Sequence, residues 1–485
     1  MVYKGFVSGT YPARSYAVSI DRLVNWYPEI VESQLGKSQI AYYPTPGLIL
    51  VVDTSNLGGA GRGMFALDGR QWAVIGSWLV EFHPDGTVEE YAGLVDDGKP
   101  VSIVANSRTP TQLMIASAGR GYIFDSAALT LTPLAGDFEG ASQVAFLDQY
   151  LIALTPDSSQ FQISDLNDGT SWSALDISIN VASADKVKAI MTDHEYLYLM
   201  GSKRIAVYVN SGNPDFPIVP VPGAFIEMGI RAPFSLQRID NTLMWYGENE
   251  HGAGVVYRAE GFIPKRVSTH AIETVWSQYG KDDDAIAFTQ QRDGHTFYRL
   301  TFPAADQTWV YDLATDMWHE RAVWDSANAA WHAQTQRFGC YATGGTFGRY
   351  FVCGADGKIY LEDNYTFTED GRLIRRVRIA PVLANENKLV FPTRLEIVIE
   401  PGVGLDGDPA AQGANPLMTL RYSPDSGRTW SNEMYAPAGL HGASDTQVVF
   451  DALGSGRAWV PEISVTDPVN WVIVGANIEL KTGKR

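Results

Sequence analysis

"MFALDGRQWAVIGSWLVEFHPDGTVEEYA", residues 64 to 92, holds several short apolar and aromatic runs punctuated by turns. "MFAL" meets Asp68-Gly69, "QWAVIG" ends on a glycine, and "WLVEF" runs into Asp85-Gly86. Asp-Gly offers the positive φ angles that tight hairpins require. The segment therefore reads as a small antiparallel sheet. Such a sheet has two apolar faces and cannot bury both alone. Stacking against neighbours around a ring buries them and protects the strand edges.

The theme repeats along the chain. Comparable units start at Val101, Ser142, Val187, Phe234, Ala285 and Phe338, roughly 35 to 55 residues apart, the spacing expected of four-stranded propeller blades. "EYLYLMG" and "HTFYRLTF" are dense in β-formers, and "RIAVYV", "TWVYDL" and "KIYLED" supply a partner strand after a short break. The expectation is an all-β chain with a β-propeller over residues 61–370. Seven blades are counted, with six as the alternative if the second or last unit belongs elsewhere. Residues 1–60 do not fit the repeat and read as an N-terminal arm. Its strand after Pro46-Gly47 would close the ring beside the last blade, or the arm would lie across a partner subunit. From 371 the strands lengthen and alternate, as in "TRLEIVIEPG" and "WVIVGANIEL", which predicts a C-terminal β-sandwich over 371–485. "PGVGLDGDPAAQGANP" (401 to 416) reads as a surface loop.

Composition agrees with this outline. A chain of 485 residues exceeds one compact core. Its 13 Trp, 23 Tyr, 46 Gly and 25 Pro suit many strands joined by tight turns. The net charge of −18 argues against an electrostatic grip on nucleic acid, which needs clustered Lys and Arg. A negative wall would instead let DNA slide past. Two cysteines, Cys340 and Cys353, exclude a disulfide-dense scaffold and read as reduced, buried thiols. "MVYKGFVSGTYPARSY" has no apolar signal region, and no run is long enough for a membrane span. The expectation is synthesis in a cytoplasm without export by a standard route.

The search for chemistry turns on "SPDSGRTW" (423 to 430), an Asp-box octet best known from sialidases. Ser423, Asp425, Gly427, Thr429 and Trp430 each have a structural task that needs no substrate. Asp425 would accept backbone N–H bonds, Gly427 would take the left-handed conformation, and Trp430 would pack into a core. A sialidase-like glycosidase would repeat the octet on successive blades and add an arginine cluster with a Tyr-Glu pair. Here the octet stands once, outside the propeller. "NLGGAGRGMF" (56 to 65) lacks the lysine and helix of a phosphate loop and reads as a flexible connector. The eight histidines show no metal-ligand spacing, and "SDLNDGTSW" (164 to 172) departs from a calcium loop. Asp96-Asp97 and Asp282 to Asp284 read as solvated loop tips. No catalytic residue, cofactor or metal is assigned.

"VNWYPEIVES" (24 to 33), "YYPTPGL" (42 to 48) and "GRGMFALDGRQWAVIGSWLVEFHPDGTV" (61 to 88) resemble the opening of phage packaged-DNA stabilisation proteins. These are the tail hub, or nozzle, proteins of short-tailed phages. "LRYSPDSGRTWSNEMY" and the final "VTDPVNWVIVGANIEL" are similar to the same family, and the parts keep their order. The resemblance implies a structural virion protein that forms a hexameric ring below the portal and its adaptor. It would extend the DNA channel, help retain the packaged genome and meet the tail needle, tailspike or fibres. The location would be the phage tail, and no catalytic site is needed. A propeller glycosidase with a carbohydrate-binding C-terminal module is the enzyme alternative. A WD40-like scaffold is a third reading, opposed by the absence of Gly-His and Trp-Asp repeat dipeptides.

Overall fold

Strand pairing in the computed structural model begins where the turns put it. The structure describes residues 1–31, 39–180, 185–342, 349–386 and 388–483. Gly61–Leu67, Arg70–Ile75, Trp78–Phe82 and Val88–Ala92 form one antiparallel four-stranded sheet. Asp68 and Gly69 take φ values of 48° and 78°, the conformation of a two-residue hairpin turn. Alternation along Arg70–Ile75 then decides the packing. Trp72 and Val74 join Leu113 and Ile115 of the next sheet, while Ala73 and Ile75 join Phe351 and Cys353 on the other side.

The same arrangement recurs over residues 102–133, 143–179, 187–226 and 237–266, each a separate four-stranded sheet. Ile286–Arg292, His295–Phe302, Gln307–Asp312 and Met317–Asp325 pair in sequence as the sixth such unit among the described residues. Gln336–Ala342, Arg349–Gly354 and Lys358–Asp363 supply three strands of the next, and Gly47–Asp53 completes it by pairing antiparallel with Lys358–Asp363. First strands of successive units lie around a central channel, and Gln336–Ala342 packs back on Gly61–Leu67. The N-terminal strand thus closes the ring non-covalently, leaving no open end between first and last units.

Between units 5 and 6 the chain forms the short helix His270–Trp276. Thr269 caps it, its side chain accepting from Ile272 N, and Ile272 and Trp276 are buried in the core these units share. Each interface from unit 1 to unit 6, and that between units 7 and 1, has its own apolar cluster. Among the described residues, units 6 and 7 share one small cluster of Leu48, Phe288, Val352 and Tyr360, with Leu50 and Tyr350 packed against it.

The sandwich differs from the expected outline in one respect. Its sheets are built from both ends of the chain. Ile20–Val24 pairs with Arg376–Ile379, which continues to Val460–Val465, Leu417–Ser423 and Met434–Pro437. Trp26–Ile30 and Ile40–Pro44 join Ile473–Thr482, Val390–Ile399 and Val448–Asp451 in the second sheet. Asn25, at φ 59°, turns the chain from one sheet into the other, and its amide bonds Ala322 O and Arg375 O. Ile20–Val24, Trp26–Ile30 and Ile40–Pro44 are therefore sandwich strands. The reason is burial: Leu23, Trp26 and Tyr42 enter one core with Met418, Leu395, Trp459 and Trp471. Residues 401–416 carry no strand and are largely exposed.

Candidate functional site

The Asp-box turn links Leu417–Ser423 to Met434–Pro437. Ser423 is fully buried; its Oγ donates to Asp425 Oδ1 at 2.8 Å and accepts from Gly427 N at 2.7 Å. Asp425 Oδ1 accepts from Thr429 N at 2.8 Å and Arg428 N at 3.0 Å, and Oδ2 accepts from Thr429 Oγ1 at 2.7 Å. These bonds, led by the one from Thr429 N, hold the carboxyl below its usual range. An ionised carboxylate whose lone pairs are filled by its own turn has no proton to donate as a general acid. Gly427 sits at φ 87°, and a Cβ there would come within 2.6 Å of Ile20 Cδ1. Ser426 N donates to Ala458 O at 2.9 Å, tying the turn to the approach to Val460–Val465.

Trp430 is not a core residue. It is half-buried, and the Arg421 guanidinium lies 4.7 Å from its ring centroid. Arg421 is held in turn by both oxygens of Glu462, at 2.7 and 2.8 Å. The motif supplies an aromatic ring at this position, but a neighbouring strand supplies what covers it.

The channel through the ring is a cavity of about 420 Å³ lined by residues of seven units, among them Met64, Ile103, Val144, Met191, Gln237 and Phe288. Its polar side chains join the units. Ser102 Oγ bonds Val144 O at 3.3 Å and Val144 N at 3.2 Å. Gln143 accepts from Ile190 N at 2.9 Å and donates to Pro233 O at 3.3 Å, and Gln237 donates to Ala287 O at 2.8 Å. At one mouth the charges are paired. Arg238 meets Asp193 at 3.0 Å, Asp193 meets His194 at 3.0 Å, and Arg108 meets Asp168 at 3.7 Å.

Asp282 departs from the loop-tip expectation, whereas Asp96 and Asp97 are exposed. Arg62, almost fully buried within the glycine-rich 56–65 segment, binds Asp97 at 2.7 Å and three carbonyls, so that connector is fastened. Asp282 is buried between Arg231 at 2.8 Å and the Tyr246 hydroxyl at 2.8 Å. Arg62 is buried and Arg231 half-buried, and these loops supply each with a carboxylate. Cys340 and Cys353 are free and buried, and burial pushes the Cys340 thiol up to about 12. Glu81, His83 and Glu89 bring ligand atoms within 4.8 Å of one another. Arg70, however, occupies both Glu81 oxygens at 2.5 and 2.6 Å.

Sequence reasoning missed a buried ionic group between units 6 and 7. Arg299 and Arg321 both address Glu362, whose side chain is 1% exposed. The available signal was a charged residue amid apolar strand positions, as Arg299 is in "HTFYRLTF".

Fold and site together define a two-part all-β protein, a β-propeller followed by a β-sandwich. Residues 6–358 match the protein family described as "Bacteriophage P22 Gp10, beta-propeller", and residues 375–481 match "Bacteriophage P22 Gp10, beta-sandwich". The chain belongs to this phage stabilisation family, which supports a phage structural role. No curated protein matches the sequence. Among solved structures, the N-terminal domain of Nup159 is similar at 8% identity and TM-score 0.41, over 70% of this chain and 97% of that one. The Neurospora crassa Pan2 WD40 domain is similar at 8% identity and TM-score 0.42, over 65% and 95%. A streptogramin B lyase is similar at 10% identity and TM-score 0.42, over 63% and 93%. No helix among the described residues is long and apolar enough to cross a membrane.

Proposed function

We propose that this chain is a structural component of the phage tail, acting as the hub or nozzle below the portal-bound adaptor. Six copies would form a ring that extends the DNA channel, helps retain the packaged genome and contacts the tail needle, tailspike or fibres. It would be made in the host cytoplasm and reside in the virion. The observation that carries the reading is the family match, which covers propeller and sandwich in order.

The geometry refines where DNA would pass. The propeller channel is lined by apolar side chains and by glutamines and a serine whose hydrogen bonds tie neighbouring units together, and opening it for a duplex would break those bonds. The conduit would therefore run between copies, walled by their outer surfaces. A net charge of −18 favours a wall that repels phosphate. The channel's glutamines and serine meanwhile rigidify each subunit.

Mixing the recombinant chain with its portal–adaptor complex and imaging the particles tests the reading. A sixfold ring docked below the adaptor is expected. A chain that stays monomeric and ignores the adaptor overturns it. Turnover of aryl-glycosides or capsule polysaccharide, lost on Asp425→Asn, would establish the enzyme alternative instead.

A further inference from the structure

The seam between units 6 and 7 is unlike the other interfaces of the ring. Where they are sealed by larger apolar clusters, this one sets beside its small apolar cluster the buried Arg299 at 0%, Arg321 at 2% and His319 at 0% exposure, next to Glu362. Arg376, at 0% exposure, lies on the adjoining strand Arg376–Ile379. Strand register explains the crowding. Arg299, Val310 and His319 form one cross-strand row of unit 6, and Thr301, Thr308 and Arg321 form a row on the same face.

The charges do not balance. Glu362 is shared: Arg299 holds it at 2.5 and 2.8 Å, and Arg321 reaches it only at 3.4 Å. Arg376 bonds two carbonyls, Ile374 O and Thr45 O, each at 3.3 Å, and among the described residues no carboxylate lies within ion-pair distance of it. Glu369, also buried, is the second acid of the group, and it feels the exposed Arg372 most, then Arg321, Arg376 and Glu362. Arg292 adds another cation at the rim, over the Tyr27 and Phe297 rings at 5.4 and 5.7 Å. Arg292 is itself paired with Asp293 at 3.6 Å, so within the seam three buried guanidinium groups face two carboxylates. Nε of Arg299, Arg321 and Arg376 and both ring nitrogens of His319 are buried without a hydrogen-bond partner.

Buried guanidinium groups lacking counter-charge are costly, and unpaired buried donors add to that cost. Water can satisfy a donor but does not neutralise a charge. We propose that the seam between units 6 and 7 is a binding site for a small monovalent inorganic anion of the halide class. Arg321 is its principal contact, with Arg299 and His319 beside it. The bound anion locks the ring at the interface with the smallest apolar cluster.

The test compares thermal unfolding of the full chain in sodium chloride and sodium gluconate at matched ionic strength, varying chloride from millimolar to a few hundred millimolar. One-site linkage predicts Tm rising with the logarithm of chloride, by about 1 °C per tenfold once the site begins to fill. Arg321→Met should abolish the dependence, and Glu362→Gln, which removes a competing negative charge, should strengthen it. Crystals of the unaltered protein soaked in sodium bromide give a readout independent of either variant's folding. An anomalous peak beside Arg321 is expected. Identical Tm in the two salts, or bromide peaks elsewhere with water alone in the seam, overturns the proposal.

Discussion

Trp430 and Trp459 are both tryptophans of the C-terminal sandwich, yet their surroundings assign them different weights. Trp459 is fully buried, and its Nε1 donates to Leu453 O at 3.0 Å. Trp430 is half-buried beneath Arg421. Trp459→Ala should therefore cost about 3–5 kcal/mol, the usual penalty for truncating a large buried side chain. Trp430→Ala should cost about 1 kcal/mol, near the value of a partly exposed cation–π contact. Urea unfolding of the full chain followed by far-UV circular dichroism checks the order, and equal costs would contradict the burial argument. Asp425→Ala removes four acceptor contacts in a solvent-facing turn and should cost about 1–2 kcal/mol. Asp425→Asn, which keeps one carbonyl oxygen, should cost less in the same measurement. The turn role of Asp425 was legible because Pro424, Gly427 and Thr429 are local signals. The placement of Trp430 was not, because its cover comes from Arg421 on the preceding strand and Glu462 forty residues on.

Gly47–Asp53 is the element on which ring closure depends. Val52 is 7% exposed, pairs with Ile359 and packs in the cluster that joins the last unit to the first. Val52→Asp places an unpaired carboxylate there and should destabilise the chain by about 3 kcal/mol or more. Limited proteolysis should then cut within residues 1–60 well before the native chain is cut. Equal resistance would mean that the strand is dispensable. The propeller strands were readable because each is bounded by a turn signal and alternates over a few residues. The sandwich role of Ile20–Val24, Trp26–Ile30 and Ile40–Pro44 was hidden for a physical reason. Trp26–Ile30 contains Pro28, which argues against a strand, but it lies at the edge of its sheet and pairs only with Ile40–Pro44. The partners that bury Trp26 and Tyr42 stand some four hundred residues away in sequence, beyond the reach of any local pattern.

Across the whole molecule, two electrostatic effects of opposite sign meet in acid. The chain carries −18 at neutral pH, so protonating surface carboxylates relieves self-repulsion and favours the folded state. Glu362 acts the other way. Burial alone would raise its carboxyl, but Arg299 and Arg321 overcome that and hold it at about 2, from 4.5. A group whose folded pKa is depressed stabilises above its unfolded pKa and loses that contribution as pH falls through the folded one. The contribution, on the order of 3 kcal/mol, is thus present above about pH 4.5 and disappears toward pH 2. Total stability mixes both effects, and only a difference between variants separates them. Glu362→Gln leaves the surface charges in place and removes this titration. The native chain should be the more stable at pH 7, and its advantage over Glu362→Gln should shrink steadily between pH 4.5 and 2. Denaturant midpoints of the two proteins across that range decide the matter. A constant gap would show that Glu362 is not ionised against the seam arginines, and would leave Arg299 and Arg321 needing another counter-charge altogether.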